Sequence, residues 1–391
     1  MKVSVLVNEM NIRGGTHKQV VRLCEYLRRK NIEFEWITRC YELQKTYPEC
    51  AGFNIKDINE VMTYNCDANF LEKIRIKLKD IYNQYRLYKM ISKDTDVVNV
   101  HDNGLSFVIC LCILNKRKVV WQINDLPGRF QVGPSVKSKV RFRSLNWLAK
   151  KYLGFLGRHV DLITVNVTKN RDRVKKCMAA EAKVFYCGTD LEQQAAIHKK
   201  VRDKKCIRIV STGVFFPYRN YETQVKVVKE LKRRGNDCHL DIIGSTELNA
   251  GYAAKIRDLI RENQLDDSIT IHGQVDEKKF NEIYEDADAF LFINLDQSWG
   301  LAVFEAMGRG LPVIVSNSVG ATELLNDGVD SLIVNPLDEN EISDNIERLK
   351  DDSYYGKISK NAIRNVSHYT WDELYSSKMV KEFYRIIGEK R

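Results

Sequence analysis

The chain alternates short apolar, β-branched runs of five or six residues with longer segments in which apolar residues recur every three or four positions. The runs before residue 190 predict strands at 3–7, 34–38, 96–100, 119–123, 162–167 and 183–187. Those after residue 205 predict strands at 207–212, 239–244, 268–273, 289–294, 311–316 and 331–335. The longer segments predict helices that include 17–30, 220–235, 251–263, 277–286, 301–309 and 339–350. This alternation predicts an α/β fold with parallel sheets covered by helices on both faces.

The polar stretch 188–205 separates the two sets of strands and marks a domain boundary. We therefore expect two Rossmann-like, doubly wound domains, one over 1–190 and one over 205–371. A last helix, within 372–391, is expected to cross back to the N-terminal domain. In such folds ligands bind at the carboxyl ends of the strands, so functional residues are expected in the loops that follow them.

Composition excludes several classes of protein. With 44% hydrophobic residues and only six Pro, the chain is neither disordered nor collagen-like. Its longest apolar run, 107–114, is too short to span a membrane and has the length of a buried strand. The first residues, MKVSVLVNEM, lack a signal-peptide pattern and predict a strand. Ten Cys without a C-x-x-C pair favour free thiols in a reducing compartment.

The formal net charge of +10 is concentrated in two segments. Residues 73–93 hold seven Lys or Arg and one acid, and residues 135–160 hold seven and no acid. Both interleave basic with aromatic and aliphatic residues, as helices at a membrane interface do. The alternative is an ordinary solvated helix over a core. No nucleic-acid-binding module is present in the sequence, so we expect no nucleic-acid partner.

Several short motifs resemble metal- or nucleotide-binding sites, but the residues around them argue against that function. The acidic pairs at 94–96 and 286–288 have the spacing of a metal-binding motif, but each directly precedes a predicted strand. The segment 355–357 lacks the upstream glycine of a phosphate-binding loop, and 308–310 closes a helix. No G-x-G-x-x-G follows the first strand, which argues against a dehydrogenase.

Three loops carry candidate chemistry. Gly14 and Gly15 lie at a strand-to-helix turn, where a ligand could approach the backbone closely. Gly213 and Arg219 follow the strand at 207–212, and the guanidinium could fork onto a phosphate; a surface arginine is the alternative. The third loop, 296–305, opens a helix whose first amides could accept a diphosphate.

The stretch 297–323 resembles retaining glycosyltransferases of family four (glycosyl transferases group one), which have the GT-B fold. In that family an acid, seven residues and a Glu precede an E-A-M-A-x-G-x-P-V pattern. Residues 305–313 read EAMGRGLPV, so Glu305 takes the second acidic position, and the resemblance implies that it holds the donor ribose. The first acidic position is Gln297, and of the family's two phosphate-binding cations only Arg219 remains, because the other falls at Val214.

The resemblance implies a donor site in the second domain and a cleft between the two domains. Donor-binding positions are then Gly14, Gly15, Gly213, Gly273, Gln274, Val275, Ser298, Trp299, Gly300, Leu301 and Glu305. Catalytic positions are Arg219, Gln297 and Glu305. His101, and Asn124 in place of the family's usual histidine, are candidate contacts of the sugar or acceptor.

The expected reaction is transfer of a sugar from a UDP- or GDP-linked donor to a hydroxyl of a lipid-linked or membrane-proximal glycan, as in bacterial surface polysaccharide synthesis. No metal and no other cofactor is expected. The protein is expected in the cytoplasm, held on the inner face of an anionic membrane through 73–93 and 135–160. Gln297 and Asn124 leave open a non-catalytic scaffold subunit, and a nucleotide-sugar epimerase of the same fold is a second alternative.

Overall fold

A computed structural model describes residues 1–11, 13–61, 69–124, 143–190 and 206–388. These described residues form two compact units. The first unit takes in the chain up to residue 188 and again from residue 371, and the second takes in the residues between 189 and 370.

In the described part of the first unit, seven strands form one parallel sheet in the order β3-β2-β1-β4-β5-β6-β7. The strands are β1 Lys2–Val7, β2 Glu33–Thr38, β3 Ile55–Asp57, β4 Val97–His101, β5 Lys118–Ile123, β6 Leu162–Val165 and β7 Lys183–Val184. The helices are α1 Gly15–Arg29, α2 Phe70–Met90, α3 Ser106–Leu114, α4 Arg143–His159 and α5 Thr168–Met178. The chain returns to this unit through a π-helical turn, Asp372–Ser376, and its last described helix.

In the described part of the second unit, six strands form a parallel sheet in the order β10-β9-β8-β11-β12-β13. The strands are β8 Cys206–Thr212, β9 Asp237–Ile243, β10 Ile269–Gly273, β11 Ala289–Phe292, β12 Val313–Ser316 and β13 Leu332–Val334. The helices are α6 Tyr221–Arg233, α7 Ala250–Glu262, α8 Glu277–Asp286, α9 Leu301–Gly308, α10 Glu339–Arg348 and α11 Asp352–Val366. The returning helix in the first unit is α12, Ser377–Gly388.

The two parallel sheets confirm the predicted α/β fold with two Rossmann-like domains. Strands such as β1 and β4 are buried almost along their whole length, because helices cover both faces of a parallel sheet. The acidic pairs do precede strands: Asp96 accepts the backbone N–H of Lys2 at 2.7 Å, and Asp288 accepts that of Arg208 at 2.9 Å. Asp96 and Asp288 therefore each link the starts of two neighbouring strands.

The predicted buried strand at 107–114 is wrong, because this run forms α3. Buried Cys112 lies three positions after buried Ile109 and four after buried Val108, while Leu114 is exposed. An eight-residue apolar run does not by itself distinguish a strand from a helix. The alternation of β4 and β5 in one parallel sheet requires a crossover at this point, and α3 supplies it.

The pattern also missed β3, α5 and α11. Strand β3 has three residues, and α5 is so rich in Lys, Arg and Asp that it shows little apolar periodicity. The cysteines in the part of the chain that the structure describes are all free.

Candidate functional site

A short turn, Pro217–Arg219, lies beyond the carboxyl end of β8 and is tied to the neighbouring loops. Leu295, just past β11, donates its backbone N–H to the carbonyl of Tyr218 at 2.8 Å. Asn220 donates its side-chain amide to two backbone carbonyls, one past β11 at 3.2 Å and one past β13 at 2.7 Å. These bonds hold Arg219 at the edge of the sheet where ligands bind in doubly wound folds.

Two glycines allow the backbone to pass under this turn. Gly213 and Gly244 each have a φ of +154°, which side-chain-bearing residues rarely adopt. A Cβ at Gly213 would lie 2.6 Å from Cζ of Arg219, and a Cβ at Gly244 would lie 2.0 Å from the carbonyl oxygen of Gly213. The guanidinium of Arg219 therefore rests directly on a backbone that only glycine permits.

The Arg219 guanidinium has hydrogen-bonding capacity to spare. Its Cζ lies 5.2 Å from the ring centroid of Tyr218 and 5.6 Å from that of Phe292, within cation–π range. Its Nε is buried and has no hydrogen-bond partner within the described residues. Because a buried unpaired donor is costly, this arrangement favours an anionic ligand that would accept from it.

The amino terminus of α9 borders the same aromatic ring. Gly300 precedes the helix with a φ of +116°, and no side chain caps the first amides. A Cβ there would lie 3.1 Å from Cε1 of Phe292 and 3.0 Å from Cγ1 of Val319. Phe292 thus contacts the backbone at Gly300 and lies beside Arg219, which places a cation and the positive end of a helix around one ring.

The loop after β10 joins this group through its backbone. Gly273 has a φ of +70°, and its carbonyl accepts the N–H of Gly244 at 2.8 Å. Gln274 is exposed and Val275 is half-buried. The predicted donor-binding residues 213, 273 and 300 and the predicted catalytic residue 219 therefore lie at one edge of one sheet.

Gln297 lies just before α9, and its side chain is already hydrogen-bonded within the protein. Its Oε1 accepts a hydrogen bond from the amide of Asn294 at 3.3 Å, and its carbonyl accepts the N–H of Gly320 at 3.1 Å. Two neutral amides therefore stand where the family pattern has an acid.

The three residues Ser298, Trp299 and Leu301 shape the loop around Gly300. Ser298 and Trp299 are buried, and the Trp299 ring stacks on Phe304 with centroids 5.2 Å apart. The carbonyl of Trp299 accepts the N–H of Ala321 at 3.1 Å. These contacts orient the start of α9, while Leu301 is half-buried on its first turn.

Glu305 lies in α9, one turn beyond Gly300, and is half-buried. Burial and, after it, the nearby Glu305 carboxylate raise the pKa of the Tyr284 hydroxyl. The carboxylate is thus close to a phenol that stays protonated at neutral pH.

In the first unit, Gly14 and Gly15 begin α1 as predicted, but the backbone does not require glycine at Gly14, whose φ is −122°. The Gly14 carbonyl accepts the N–H of Lys18 at 3.0 Å and the hydroxyl of Tyr47 at 3.3 Å. No side chain caps α1, so its first amides resemble those of α9 in being uncapped.

Asn124 follows β5 and is engaged inside the protein. Its amide nitrogen donates to Thr16 Oγ1 and to Gln19 Oε1, both at 2.9 Å, and its oxygen accepts from Gln122 Nε2 at 2.9 Å. Asn124 as a whole is only 4% exposed. The expected sugar contact is therefore corrected: Asn124 anchors the first turn of α1 to the sheet.

His101, at the end of β4, is fully buried, with Nε2 2.9 Å from Oδ1 of Asn99. Burial, and then the neighbouring His17, lower the pKa of His101 to about 3. Burial likewise lowers the pKa of His17 to about 4. Both imidazoles are therefore neutral at physiological pH. His17 was not singled out from the sequence, although it lies only two residues after Gly15.

These two histidines predict an acid-sensitive fold. Because unfolded histidine binds a proton near pH 6.5 and His101 in the folded protein binds one only near pH 3, stability is complete above pH 6.5. Each of the two buried histidines should lower the stability by about 1.4 kcal/mol per pH unit below that value. Together they should lower it by about 2.8 kcal/mol per pH unit until the pH approaches about 4. Urea denaturation at pH 7, 6 and 5 checks this. His101→Gln should flatten the slope, whereas His368→Gln, on an exposed residue, should not.

Among the described residues, no group of three His, Cys, Asp or Glu side chains is placed to hold a metal ion. Of the helices that the structure describes, none is long and apolar enough to cross a membrane.

Two family models match the chain, and between them they cover nearly all of it. Residues 13–193 match Glycosyltransferase Family 4, and residues 192–366 match Glycosyl transferases group 1. Sucrose synthase 5 of Oryza sativa subsp. japonica is 32% identical over 137 residues, which are 32% of this chain but only 16% of the relative. The O-antigen chain mannosyltransferase RfbU of Salmonella typhimurium is 24% identical over 76% of this chain and 84% of that protein.

Solved structures show the same fold. Sucrose-phosphate synthase from Thermosynechococcus elongatus superposes with a TM-score of 0.77 at 17% identity, covering 99% of each chain. HepE of Anabaena, solved in complex with UDP and glucose, gives a TM-score of 0.73 at 14% identity, covering 98% of this chain and all of that one.

Proposed function

Because the chain belongs to glycosyltransferase family 4 (glycosyl transferases group 1), we propose that it transfers a sugar from a nucleoside-diphosphate sugar to an acceptor hydroxyl with retention of configuration. One observation carries this proposal: Arg219 and the uncapped start of α9 lie around the ring of Phe292. A buried, unpaired guanidinium nitrogen beside helix amides is suited to a diphosphate.

The proposed chemistry follows from the charge that must be stabilised. As the glycosidic bond breaks, negative charge grows on the leaving diphosphate. Arg219 and the amides after Gly300 would stabilise it, and a preorganised donor of this kind is worth about 3–4 kcal/mol. The leaving phosphate would take the acceptor proton on the same face, so no second carboxylate is needed as a nucleophile. None of the proposed steps requires a metal ion.

The other predicted site residues would bind the ribose, the base and the sugar of the donor. Glu305 would accept hydrogen bonds from the ribose hydroxyls, and the backbone of Gly273–Val275 would meet the base. Gln297 and Asn294 would contact the sugar as neutral amides. A UDP-linked donor is supported by HepE, which was solved with UDP, and a GDP-linked donor remains the alternative.

A thermal-shift panel of nucleotide sugars tests the donor site. A donor at one hundred times its dissociation constant should stabilise the protein by about 2.7 kcal/mol. A shift with one donor and none with other sugars on the same nucleotide would identify the sugar. No shift with any UDP- or GDP-linked sugar would contradict the proposal and favour a non-catalytic scaffold.

The acceptor is proposed to be lipid-linked or membrane-proximal, as the O-antigen activity named for RfbU supports. Helix α2 carries an exposed apolar stripe at helical spacing, formed by Leu71, Ile74, Leu78, Tyr82 and Tyr85. Lysines and arginines flank this stripe, at positions that include 73, 75, 77 and 79. Such a face matches the chemistry of an anionic lipid surface.

Among the described residues, helix α4 also exposes apolar side chains, although fewer than α2. Trp147 and Leu148 are more than half exposed, and Lys151 Nζ lies 5.4 Å from the Trp147 ring. Leu156 of the same helix is buried in the core. Helices α2 and α4 both pack against α3. Residues 135–142 lie outside the described residues.

Reversing charge on α2 should weaken binding to anionic vesicles. Each Lys or Arg near such a surface contributes about 1 kcal/mol, so Lys73→Glu with Arg75→Glu should lower the partition coefficient by at least tenfold. Flotation with phosphatidylcholine vesicles containing phosphatidylglycerol measures it. Lys357→Glu with Lys360→Glu, on exposed positions of α11, is the matched control. Equal recovery of the unmodified protein with neutral and anionic vesicles would contradict membrane binding.

A further inference from the structure

A pocket of about 580 Å³ opens in the first unit, away from the loops that carry the predicted site. Its walls come from the residues that precede β4 and β5 and from the ends of α2, α3 and α12. In a parallel sheet this is the amino-terminal edge, opposite the edge at which His101 and Asn124 lie. The proposed transfer reaction has no use for this pocket.

Four cationic side chains line the pocket, against one carboxylate. The cations are Lys93, Lys116, Arg117 and Lys118, and the carboxylate is Asp96. Asp96 already accepts the backbone N–H of Lys2 at 2.7 Å, which directs one of its oxygens into the sheet. The pocket therefore carries an excess of positive charge.

Three of these cations are not matched by acids. Lys118 lies 3.5 Å from Asp161, but among the described residues no carboxylate is within ion-pair distance of Lys93, Lys116 or Arg117. Surface lysines and arginines elsewhere in this chain commonly have such partners, as Lys175 has Glu181. The unpaired cations are thus gathered at one place.

Arg117 is also held in position. One Nη donates to the carbonyl of Ser92 at 2.9 Å, and the guanidinium lies 5.9 Å from the ring centroid of Tyr88. Lys116 before it has a φ of +54°, in the turn after α3, where glycine is the common residue. An arginine oriented in this way can present its remaining N–H groups as a fork to an oxyanion.

We propose that this pocket binds a phosphate-bearing ligand through Lys93, Lys116 and Arg117, at a site separate from the donor site. The ligand class follows from several cations around a space large enough for more than a single ion. The site goes beyond the proposed transfer activity, and it does not depend on that activity being correct.

Calorimetric titration with inorganic pyrophosphate tests the site. The full chain carrying Arg219→Ala is used, so that the proposed donor site does not contribute. Adding Lys93→Ala and Lys116→Ala should weaken binding by about tenfold or more. Adding Lys176→Ala and Lys226→Ala, two exposed lysines outside the pocket, removes the same charge and should change affinity less than twofold. Absence of binding before these changes, or equal weakening by both pairs, would overturn the proposal.

A second arm separates a soluble phosphate from a lipid headgroup. Vesicles of phosphatidylcholine containing phosphatidic acid are mixed with the two double-lysine variants. If the ligand is a lipid, the Lys93→Ala, Lys116→Ala protein should be recovered less than the control pair. If the ligand is soluble, the two recoveries should be equal while pyrophosphate affinity still differs.

Discussion

Replacing Arg219 with alanine should lower the rate of sugar transfer by about 10²–10³-fold, because the growing charge on the leaving diphosphate would lose its one side-chain cation. The effect should appear mainly in kcat, since this charge is largest in the transition state. Steady-state transfer assays with the donor identified by thermal shift measure it. Arg219→Lys should recover only part of the rate, because lysine keeps the charge but loses the planar fork.

The control for this experiment is Arg257→Ala, which removes an exposed arginine of α7 in the same unit. It should leave both kcat and the thermal shift unchanged. If Arg219→Ala transfers sugar as fast as the unmodified protein, Arg219 is not the diphosphate-binding group. If neither protein transfers sugar but a partner enzyme is activated equally by both, the scaffold alternative is favoured.

Replacing Gly244 with alanine should destabilise the second unit by about 3 kcal/mol or more. The new Cβ would lie 2.0 Å from the carbonyl oxygen of Gly213, so the backbone itself must move, and a φ of +154° adds strain. Because Gly213 lies directly under Arg219, the displaced backbone should also abolish the thermal shift with donor.

Gly328→Ala separates the steric clash from the strain. Gly328 has a φ of +69°, but a Cβ there would meet no atom within 4 Å. This substitution should cost about 1 kcal/mol and leave donor binding intact. Denaturation midpoints of the two variants provide the comparison. A Gly244→Ala protein as stable as Gly328→Ala would show that the close approach of the two loops is not maintained in solution.

Much of the fold could be predicted because parallel sheets have a simple sequence signature. Their strands are buried on both faces, so β1, β4 and β11 read as short continuous apolar runs, and the helices between them show a period near 3.6. The placement of the candidate loops at the ends of strands was also predictable, since Gly213, Arg219 and EAMGRGLPV each follow a strand.

Prediction failed where the same residues were compatible with two different structures or roles. The run at 107–114 has the composition of a strand and the burial pattern of a helix. Asn124 has the sequence position of a sugar contact, yet its amide bonds to Thr16 and Gln19 of a helix more than one hundred residues earlier in the chain. His17 showed no separate signal, because its burial depends on what packs around the first turn of α1.

By itself, the sequence determined the two parallel α/β domains, the family and the loops that carry the candidate site residues. These depend on local periodicity and on short motifs, which adjacent residues encode. Only the tertiary structure decided that Arg219 and the start of α9 share the ring of Phe292, that Asn124 is spent on internal hydrogen bonds, and that unpaired cations gather around Arg117. Each of these depends on side chains from different elements being brought together by the fold, where burial then determines which polar atoms stay free for a ligand.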